Sequence, residues 1–331
     1  MKDVLLLKQA LPYFRRHKGQ TFVIKLGGEI AARPEVLESL AEDLSLLMHV
    51  GIRFVLVHGG GPQASELSRR LGHEPNMVEG RRVTDADTLD VAKMVFAGKI
   101  NVDILSALRV QGVRAVGLSG VDADILHAVK RSPTEVTDET TGETRVVDYG
   151  FVGDVTQVDS SVLSMLMEQG YVPVLSSLCS DDQGGILNIN ADTVASVIAR
   201  DLKAAKLISL TTVPGVLRDV DDPESLVTVL TAEQVGRAFA DGILSAGMKP
   251  KVTALVDAVN NGVERGHILS GLDSGALLLE LFTKVGAGTL IVKDAADVPA
   301  TFADGPASAT APARAPKTAT PPDAKTRDAS A

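Results

Sequence analysis

The chain contains no tryptophan, three tyrosines and a single cysteine, and each shortage excludes a class of protein. Cys179 alone can form neither an intrachain disulfide nor a cysteine-rich metal site, which fits an intracellular, cytoplasmic location. No apolar run approaches the ~20 residues of a membrane-spanning helix, so we expect no membrane partner. The few aromatic residues, a formal net charge of −9 and the lack of a basic stripe argue against a nucleic-acid partner.

Short apolar strands alternate with helical patterns along most of the 331 residues. The runs that begin at Thr21 and at Arg53 are β-branched and continuously apolar, without the polar alternation of a half-exposed strand. Pro34 and Pro62 stand where the following helices would begin, since proline is tolerated in a first helical turn. This alternation predicts an α/β fold with a mostly parallel sheet that is covered on both faces.

Three segments lie outside this alternation. Residues 1–20 predict an amphipathic helix, which could pack on its own domain or on another subunit. The polar, β-branched stretch 131–148 contains a Thr-Gly turn and predicts an exposed hairpin. The stretch 298–331 is rich in Ala, Pro, Thr and Asp, and we expect it to be disordered.

Two glycine-rich turns follow the first two predicted strands. Lys25 precedes Gly27 and Gly28 in the first turn, and residues 59–61 are all glycine in the second. Glycines at the carboxyl ends of strands let backbone N–H groups approach an anion, and a following helix adds a favourable dipole. A tight chain reversal alone would explain one such turn. Two in succession, one of them beside a lysine, favour an anion-binding site.

Two familiar phosphate-binding patterns do not account for these turns. The sequence contains no G-x-x-x-x-G-K-[ST], which excludes a P-loop as written. Residues 59–64 fit the loose dinucleotide pattern G-x-G-x-x-A, but no strand ending in an acidic residue follows them. A nicotinamide cofactor is therefore not expected.

Three later segments carry side chains that suit an anionic substrate. Arg82, in a predicted loop, has the planar guanidinium that captures a carboxylate through two hydrogen bonds. Asn188, Asn190 and Asp192 share one face if their segment is extended, whereas a turn before a helix would make the aspartate a helix cap. Lys251 falls in the first turn of a predicted helix, where its charge opposes the helix dipole unless an anion binds beside it.

The segments IKLGG, VHGGGPQ, GRRVT, NINAD, TTVPGVL and GMKPKV, in that order, resemble the amino-acid kinase family. The resemblance covers about residues 1–293 and implies the branch that uses ATP to phosphorylate the side-chain carboxylate of N-acetyl-L-glutamate in arginine biosynthesis. It implies one three-layer αβα domain over 21–297, with an acid-substrate lobe at about 21–192 and an ATP lobe at about 193–297. Mg²⁺ would arrive bound to the nucleotide, without a dedicated metal site.

The same resemblance implies roles for individual residues. Lys25 and Lys251 would stabilise the transition state, and Asp192 would organise both lysines. The other implied contacts are Gly27 and Gly28 with phosphate, Gly60, Gly61, Arg82, Asn188 and Asn190 with the acid substrate, and Thr211, Thr212 and Gly215 with the nucleotide. Thr212 stands where most relatives have Asp, which alters the expected nucleotide contact.

The two ends of the predicted domain resemble those of arginine-inhibited family members that form hexamers as trimers of dimers. The matching stretches are ALPYFRRHKG near the start and HILSGLDSGALLLELFTKVGAG near the end. They imply an oligomerisation helix within 1–20, a homo-oligomer and an inhibitory arginine site. The implied arginine-binding residues are Tyr13, His267, Glu280, Gly286 and Gly288. Alternatively, Glu280 is merely a surface residue of a helix.

Three other functions are compatible with parts of the pattern. A kinase for a carrier-protein-linked aminoadipate or glutamate shares GMKPKV, whereas GRRVT and NINAD favour the free acetylated acid. A non-catalytic amino-acid sensor of the same fold would have no use for Lys25, Lys251 and Asp192, whose presence favours catalysis. An NAD-dependent oxidoreductase would require nicotinamide binding.

Overall fold

The computed structural model describes residues 2–78, 81–137, 143–219, 221–240, 244, 247–284 and 286–299. The disorder predicted for 298–331 therefore falls, apart from its first two residues, outside the described part of the chain. No helix within these ranges combines the length and the apolar character needed to cross a membrane.

An eight-stranded central sheet forms the middle layer of the molecule. Neighbouring strands run parallel except for one antiparallel pair near an edge, which joins residues 265–270 to 289–292. This confirms the mostly parallel sheet predicted from the continuous apolar strands. In sheet order, the strands are β14 (Val229–Thr231), β16 (Thr289–Val292), β15 (Arg265–Ser270), β13 (Lys206–Thr211), β1 (Thr21–Leu26), β2 (Arg53–His58), β10 (Val172–Ser176) and β5 (Ala115–Ser119).

Alternate residues of the central strands fill two separate hydrophobic cores, one on each face of the sheet. On β1, Phe22 and Ile24 enter the first core and Val23 enters the second. On β2, Phe54 enters the first core and Val55 the second. Successive side chains of a strand point to opposite faces, so strands without polar alternation must be buried on both sides. The fold is the predicted three-layer αβα sandwich.

Helices cover both faces. The helices are α1 (Lys2–His17), α2 (Gly28–Ala31), α3 (Pro34–His49), α4 (Gly61–Arg70), α5 (Ala86–Ala92), α6 (Asn101–Val110), α7 (Ser161–Glu168), α8 (Ala191–Asp201), α9 (Ala232–Ala240), α10 (Lys249–Asn260) and α11 (Ala276–Phe282). Buried residues of α3, α5, α6 and α11 belong to the first core, and those of α7, α8 and α10 belong to the second. A π-helical stretch, Lys93–Ile100, joins α5 to α6, and short 3₁₀ turns span Asp122–Asp124, Pro223–Ser225 and Ala295–Asp297.

Smaller sheets lie outside the central sheet, in the half of the chain that also contains β5 and β10. β6 (Leu126–Lys130), β9 (Gly153–Val158), β11 (Leu178–Ser180) and β12 (Ile186–Asn188) form a four-stranded sheet. β3 (Met77–Val78) pairs with β4 (Arg81–Arg82). β7 (Thr134–Thr137) pairs antiparallel with β8 (Thr144–Val147), which confirms the hairpin predicted within 131–148.

The N-terminal helix α1 packs on its own domain through the side chains nearest its end. Ala10, Tyr13 and Phe14 contact the first core, and the Phe14 ring lies 4.8 Å from that of Phe282 in α11. Leu11 of the same helix is 44% exposed, so these contacts cover only part of its apolar surface. The intramolecular alternative therefore accounts for part of the helix, and an oligomerisation role stays a prediction.

Candidate active site

A cleft of about 390 Å³ opens at the carboxyl ends of β1 and β13. These strands are neighbours, and Lys25 of β1 lies beside Ser209 of β13. Ligands of open α/β sheets bind at this edge, where helix N-termini and loop amides converge. Seven residues predicted to bind phosphate or nucleotide, or to act in catalysis, line the cleft. They are Lys25, Gly27, Gly28, Thr211, Thr212, Gly215 and Lys251.

Lys25 and Asp192 form a buried ion pair at the floor of the site. The Lys25 Nζ lies 2.8 Å from an Asp192 carboxylate oxygen, and both side chains are less than a tenth exposed. Lys25 points to the second face of the sheet, two residues beyond Val23, and α8 presents Asp192 from that face. Removing either residue would leave the other charge buried without a partner, so each side chain holds the other in place.

The segment before α8 is extended as far as Asn190, and the helix begins at Ala191, so Asp192 lies in the helix. Asn190 is the helix cap, because its side-chain oxygen accepts a hydrogen bond of 2.7 Å from the Asp192 N–H. The alternative interpretation, in which Asp192 caps the helix, is therefore wrong. Asp192 lies two residues after the cap, and its side chain reaches Lys25.

Lys251 approaches the same charges from α10. Its half-buried ammonium makes one long hydrogen bond of 3.4 Å, to the Gly247 carbonyl oxygen. Burial lowers the pKa of Lys251, and the positive charge of Lys25 lowers it further. The carboxylates of Asp192 and Glu29 act in the opposite direction on this pKa. The two lysines are thus electrostatic neighbours, although they come from separate halves of the chain.

Glu29 is a cleft residue that the sequence analysis missed. It directly follows the Gly27-Gly28 turn, and its position there was the available signal.

The two glycine-rich turns lie against each other. A Cβ atom on Gly28 would stand only 2.9 Å from the Pro62 ring and 3.3 Å from the Gly60 Cα, so a side chain there would force the turns apart. A Cβ on Gly60 would stand 2.8 Å from the Phe96 ring. Glycine is therefore needed at both positions, because only glycine allows the two turns to approach so closely.

Arg82 lies against the second glycine turn and binds it through only one of its guanidinium nitrogens. Its Nη2 donates to the Gly61 carbonyl oxygen at 2.8 Å and also to the Ser65 hydroxyl. Its Nη1 is buried and has no hydrogen-bond partner among the described residues. Because a buried unpaired donor is costly, this nitrogen is well suited to an incoming carboxylate.

Asn188 lies at the end of β12 and donates a 3.3 Å hydrogen bond to the hydroxyl of Thr84. Thr84 is fully buried. Sequence reasoning missed both Ser65 and Thr84, because neither residue type indicates a site without its partner.

His58 supports the second glycine turn from inside the protein. The ring is fully buried, and burial lowers its pKa to about 4, so the imidazole is neutral. Its Nδ1 lies 3.0 Å from the Gly59 carbonyl oxygen and its Nε2 lies 3.3 Å from the Asn101 amide nitrogen. An Nδ1–H tautomer satisfies both contacts, donating to the carbonyl and accepting from the amide.

None of the five residues predicted to bind arginine lines the cleft. Glu280 accepts from His267 Nδ1 at 2.6 Å and from the Ala287 N–H at 2.7 Å. The His267 Nε2 lies 3.0 Å from the ammonium of Lys206, a residue that the sequence analysis missed. Burial raises the pKa of Glu280, but its hydrogen bonds and the neighbouring cations outweigh burial and lower that pKa to about 2.

The alternative that Glu280 is a surface helix residue is wrong, since its side chain is 2% exposed. Gly286 and Gly288 flank Ala287, whose N–H binds the Glu280 carboxylate. Tyr13 packs partly buried against the first core, Gly286 has a left-handed φ of 69°, and Gly288 is buried.

No group of three or more His, Cys, Asp or Glu side chains that could hold a metal ion occurs in the part of the chain that the structure describes.

Replacing Lys25 by glutamine should raise the pKa of Lys251, because a repelling charge disappears while the attraction of Asp192 remains. The measurement is the pH titration of the ¹³Cε signal of Lys251 by NMR. Lys18→Gln, which removes an exposed cation at the opposite end of β1, should leave that titration unchanged. An unchanged Lys251 titration in Lys25→Gln would show that the two ammonium groups are not neighbours.

Comparison with known proteins gives the family. The model of the "Amino acid kinase family" matches residues 20–270. An acetylglutamate kinase from Methanothermobacter thermautotrophicus is 43% identical over 293 residues, 88% of this chain and 100% of that protein. An acetylglutamate kinase from Symbiobacterium thermophilum is 47% identical over 287 residues, 87% of this chain and 96% of that protein.

Two solved structures of a Neisseria gonorrhoeae enzyme have a similar fold. N-acetylglutamate synthase complexed with coenzyme A and N-acetyl-glutamate has a TM-score of 0.75 and 30% identity, over 88% of this chain and 64% of the synthase. The same enzyme complexed with coenzyme A and L-arginine has a TM-score of 0.72 and 27% identity, over 88% and 66%. This chain spans less than two thirds of the synthase. Since the family model matches most of its length and the kinases match at more than 40% identity, the chain belongs to the amino acid kinase family.

Proposed function

We propose that this protein uses ATP to phosphorylate the side-chain carboxylate of N-acetyl-L-glutamate, a step of arginine biosynthesis. The observation that carries the proposal is the approach of Lys25 and Lys251 to one cleft, where the Asp192 carboxylate pairs with Lys25 and attracts Lys251. Relatives named acetylglutamate kinase, which this chain matches over at least 96% of their length in the two cases above, support the same reaction.

The chemistry requires cations more than it requires a base. A glutamate side chain has an ordinary pKa of about 4.3 and is already ionised at neutral pH, so no proton has to be removed. The difficulty is that one anion must attack another. Phosphoryl transfer is catalysed mainly by positioning and charge stabilisation. Lys25 and Lys251, with the amide of Gly28, would neutralise the charge on the moving phosphoryl group. The Gly27 N–H, also predicted to bind phosphate, donates instead to the Leu210 carbonyl oxygen at 3.0 Å.

The cleft combines an apolar region with a positively charged region, as a nucleotide-binding site requires. Val216, Leu217 and Met248 supply an apolar region that suits a purine ring, and the lysines lie with the glycine turn. Thr211, Thr212 and Gly215 come from the same wall and would contact the nucleotide. This arrangement supports ATP binding mainly by residues of about 193–297. Mg²⁺ would enter with ATP and offset the charge of its phosphates.

The acid substrate would bind on the other side of the glycine turns, among residues of about 21–192. The free Nη1 of Arg82 would hold its α-carboxylate, and the amides of Gly60 and Gly61 would face the substrate. Asn188 would donate to it as well. Asn190 uses its side-chain oxygen to cap α8, which leaves its amide nitrogen for the substrate.

A coupled assay of ATP consumption tests the proposal directly. N-acetyl-L-glutamate should be consumed in preference to glutamate, aspartate and N-acetylaspartate. Turnover only with a carrier-protein-linked aminoadipate or glutamate would instead support the carrier-linked kinase. Turnover with none of these acids would support an amino-acid sensor, and binding of NAD in a titration would support an oxidoreductase.

Lys251→Ala should lower kcat by about 10²–10³-fold, because a charge-stabilising donor is lost from the transition state. This is the cleaner lysine test, since Lys25→Ala also leaves Asp192 buried and unpaired, at a cost of about 3–5 kcal/mol in unfolding free energy. Steady-state kinetics measure the effect. Lys249→Ala, an exposed lysine of the same helical turn, is the matched control and should keep parental kcat. A Lys251→Ala variant as active as the parent would contradict the mechanism.

Arg82→Ala should mainly raise KM for N-acetyl-L-glutamate, because the guanidinium would bind a carboxylate that does not react. The expected rise is about 10–100-fold, the equivalent of one or two charge-assisted hydrogen bonds. Arg81→Ala, the exposed neighbour, serves as the control. If Arg82→Ala abolished turnover while sparing KM, the assigned role would be wrong.

We also propose that arginine inhibits the enzyme at Tyr13, His267, Glu280, Gly286 and Gly288, and that the protein is a homo-oligomer such as a hexamer. A similar synthase was solved with L-arginine bound, and this chain has a buried carboxylate, that of Glu280, in α11, which packs against α1. The exposed Leu11 of α1 is available to another subunit. A cytoplasmic location stays part of the proposal.

Millimolar arginine should lower activity in the parent and not in Glu280→Ala, whose carboxylate would pair with the guanidinium. Initial rates with and without arginine, together with light scattering for the oligomer, are the measurements. Parental activity that is unchanged by arginine would end this part of the proposal.

A further inference from the structure

The loop 212–217, here called the cleft loop, forms one wall of the cleft. A buried threonine outside the cleft holds this loop through a hydrogen bond. The N–H of Val216 donates to the Thr289 hydroxyl oxygen at 2.8 Å. The hydroxyl in turn donates to the Val227 carbonyl oxygen at 2.6 Å. Thr289 is fully buried and is the first residue of β16, so its position is set by the central sheet.

Hydrogen bonds hold both backbone polar groups of Val216, the N–H and the carbonyl oxygen. Its N–H is bonded to Thr289, and its carbonyl oxygen accepts from the Val227 N–H at 2.8 Å. Val216 lines the cleft, so any displacement of this peptide moves the cleft wall. The threonine hydroxyl is the only side-chain group among the described hydrogen bonds that reaches the cleft loop from the sheet.

Glycine on each side of this contact lets the two segments come close. A Cβ on Gly215 would overlap the Thr289 hydroxyl oxygen, and a Cβ on Gly288 would stand 3.0 Å from the Pro214 carbonyl oxygen. The cleft loop and the start of β16 therefore touch backbone to backbone. The chain just before β16 is itself anchored, because the Ala287 N–H donates to the buried Glu280 carboxylate at 2.7 Å.

We propose that Thr289 is a positioning residue for nucleotide binding: its hydroxyl holds the cleft loop in the conformation that receives ATP. It does not line the cleft itself and acts only through the Val216 peptide. The inference rests on the proposed use of this cleft by ATP. The acid substrate would bind beyond the glycine turns, so its affinity should be insensitive to Thr289.

Thr289→Val tests this inference, because valine keeps the shape and loses the hydroxyl. The Val216 N–H and the Val227 carbonyl then lose their partner, and the loop should shift to find another. KM for ATP should rise about tenfold, the equivalent of one buried hydrogen bond, while KM for N-acetyl-L-glutamate stays at the parental value. Thr289→Ser restores the hydroxyl and should restore KM for ATP.

The outcomes separate this inference from the proposed function. A parent enzyme that phosphorylates N-acetyl-L-glutamate, together with a Thr289→Val variant of unchanged KM for ATP, would overturn the inference alone. Equal rises in both KM values would also overturn it, since they indicate general loosening. If Thr289→Val fails to fold, Thr289→Ala decides: it also removes the hydroxyl without touching the cleft lining, and it should raise KM for ATP selectively. An unchanged KM for ATP in Thr289→Ala, or equal rises in both KM values, would contradict the inference.

Discussion

The site depends on one electrostatic constraint, which is that two ammonium groups must be held close together without a ligand between them. The buried Asp192 carboxylate makes this possible, because it binds Lys25 directly and also attracts Lys251. Without that carboxylate, two like charges at the edge of a protein core would repel each other and separate. With the carboxylate present, both lysines are already in position before an anionic ligand binds, so little reorganisation is needed at the moment of reaction.

The architecture delivers these three charges from three elements. β1 carries Lys25 at the middle of the sheet, where a strand is buried on both faces. The helices α8 and α10 pack against each other on the second face and present Asp192 and Lys251 from their first turns. Short, rigid elements thus fix each charge, and the glycine turns leave space for an anion among them.

Much of the fold could be predicted from the sequence, because the relevant signals are local. Continuous apolar strands indicate a sheet buried on both faces, and Pro34 occupies the first position of α3 as expected. The glycine turns were also visible, since only glycine permits such close backbone approach. The cleft residues could be named because lysines and glycines beside strand ends carry a recognisable chemistry.

Other features depend on contacts between distant residues and left no local signal. The pairing of His58 with Asn101 is of this kind, as is the burial of Glu280 against His267. The cap of α8 is Asn190, which the sequence alone did not distinguish from the alternative of Asp192, because both Asn and Asp suit that position and only the backbone geometry decides between them. Ion pairs and buried networks are set by tertiary packing, which a single sequence does not display.

The most direct test of the central claim is a crystal structure of the protein with MgADP, aluminium fluoride and N-acetyl-L-glutamate, in which the fluoride stands in for the moving phosphoryl group. The account predicts that the ammonium groups of Lys25 and Lys251 both lie within hydrogen-bonding distance of the fluoride, with Asp192 still bound to Lys25. A complex in which either ammonium faces solvent, away from the fluoride, would contradict it.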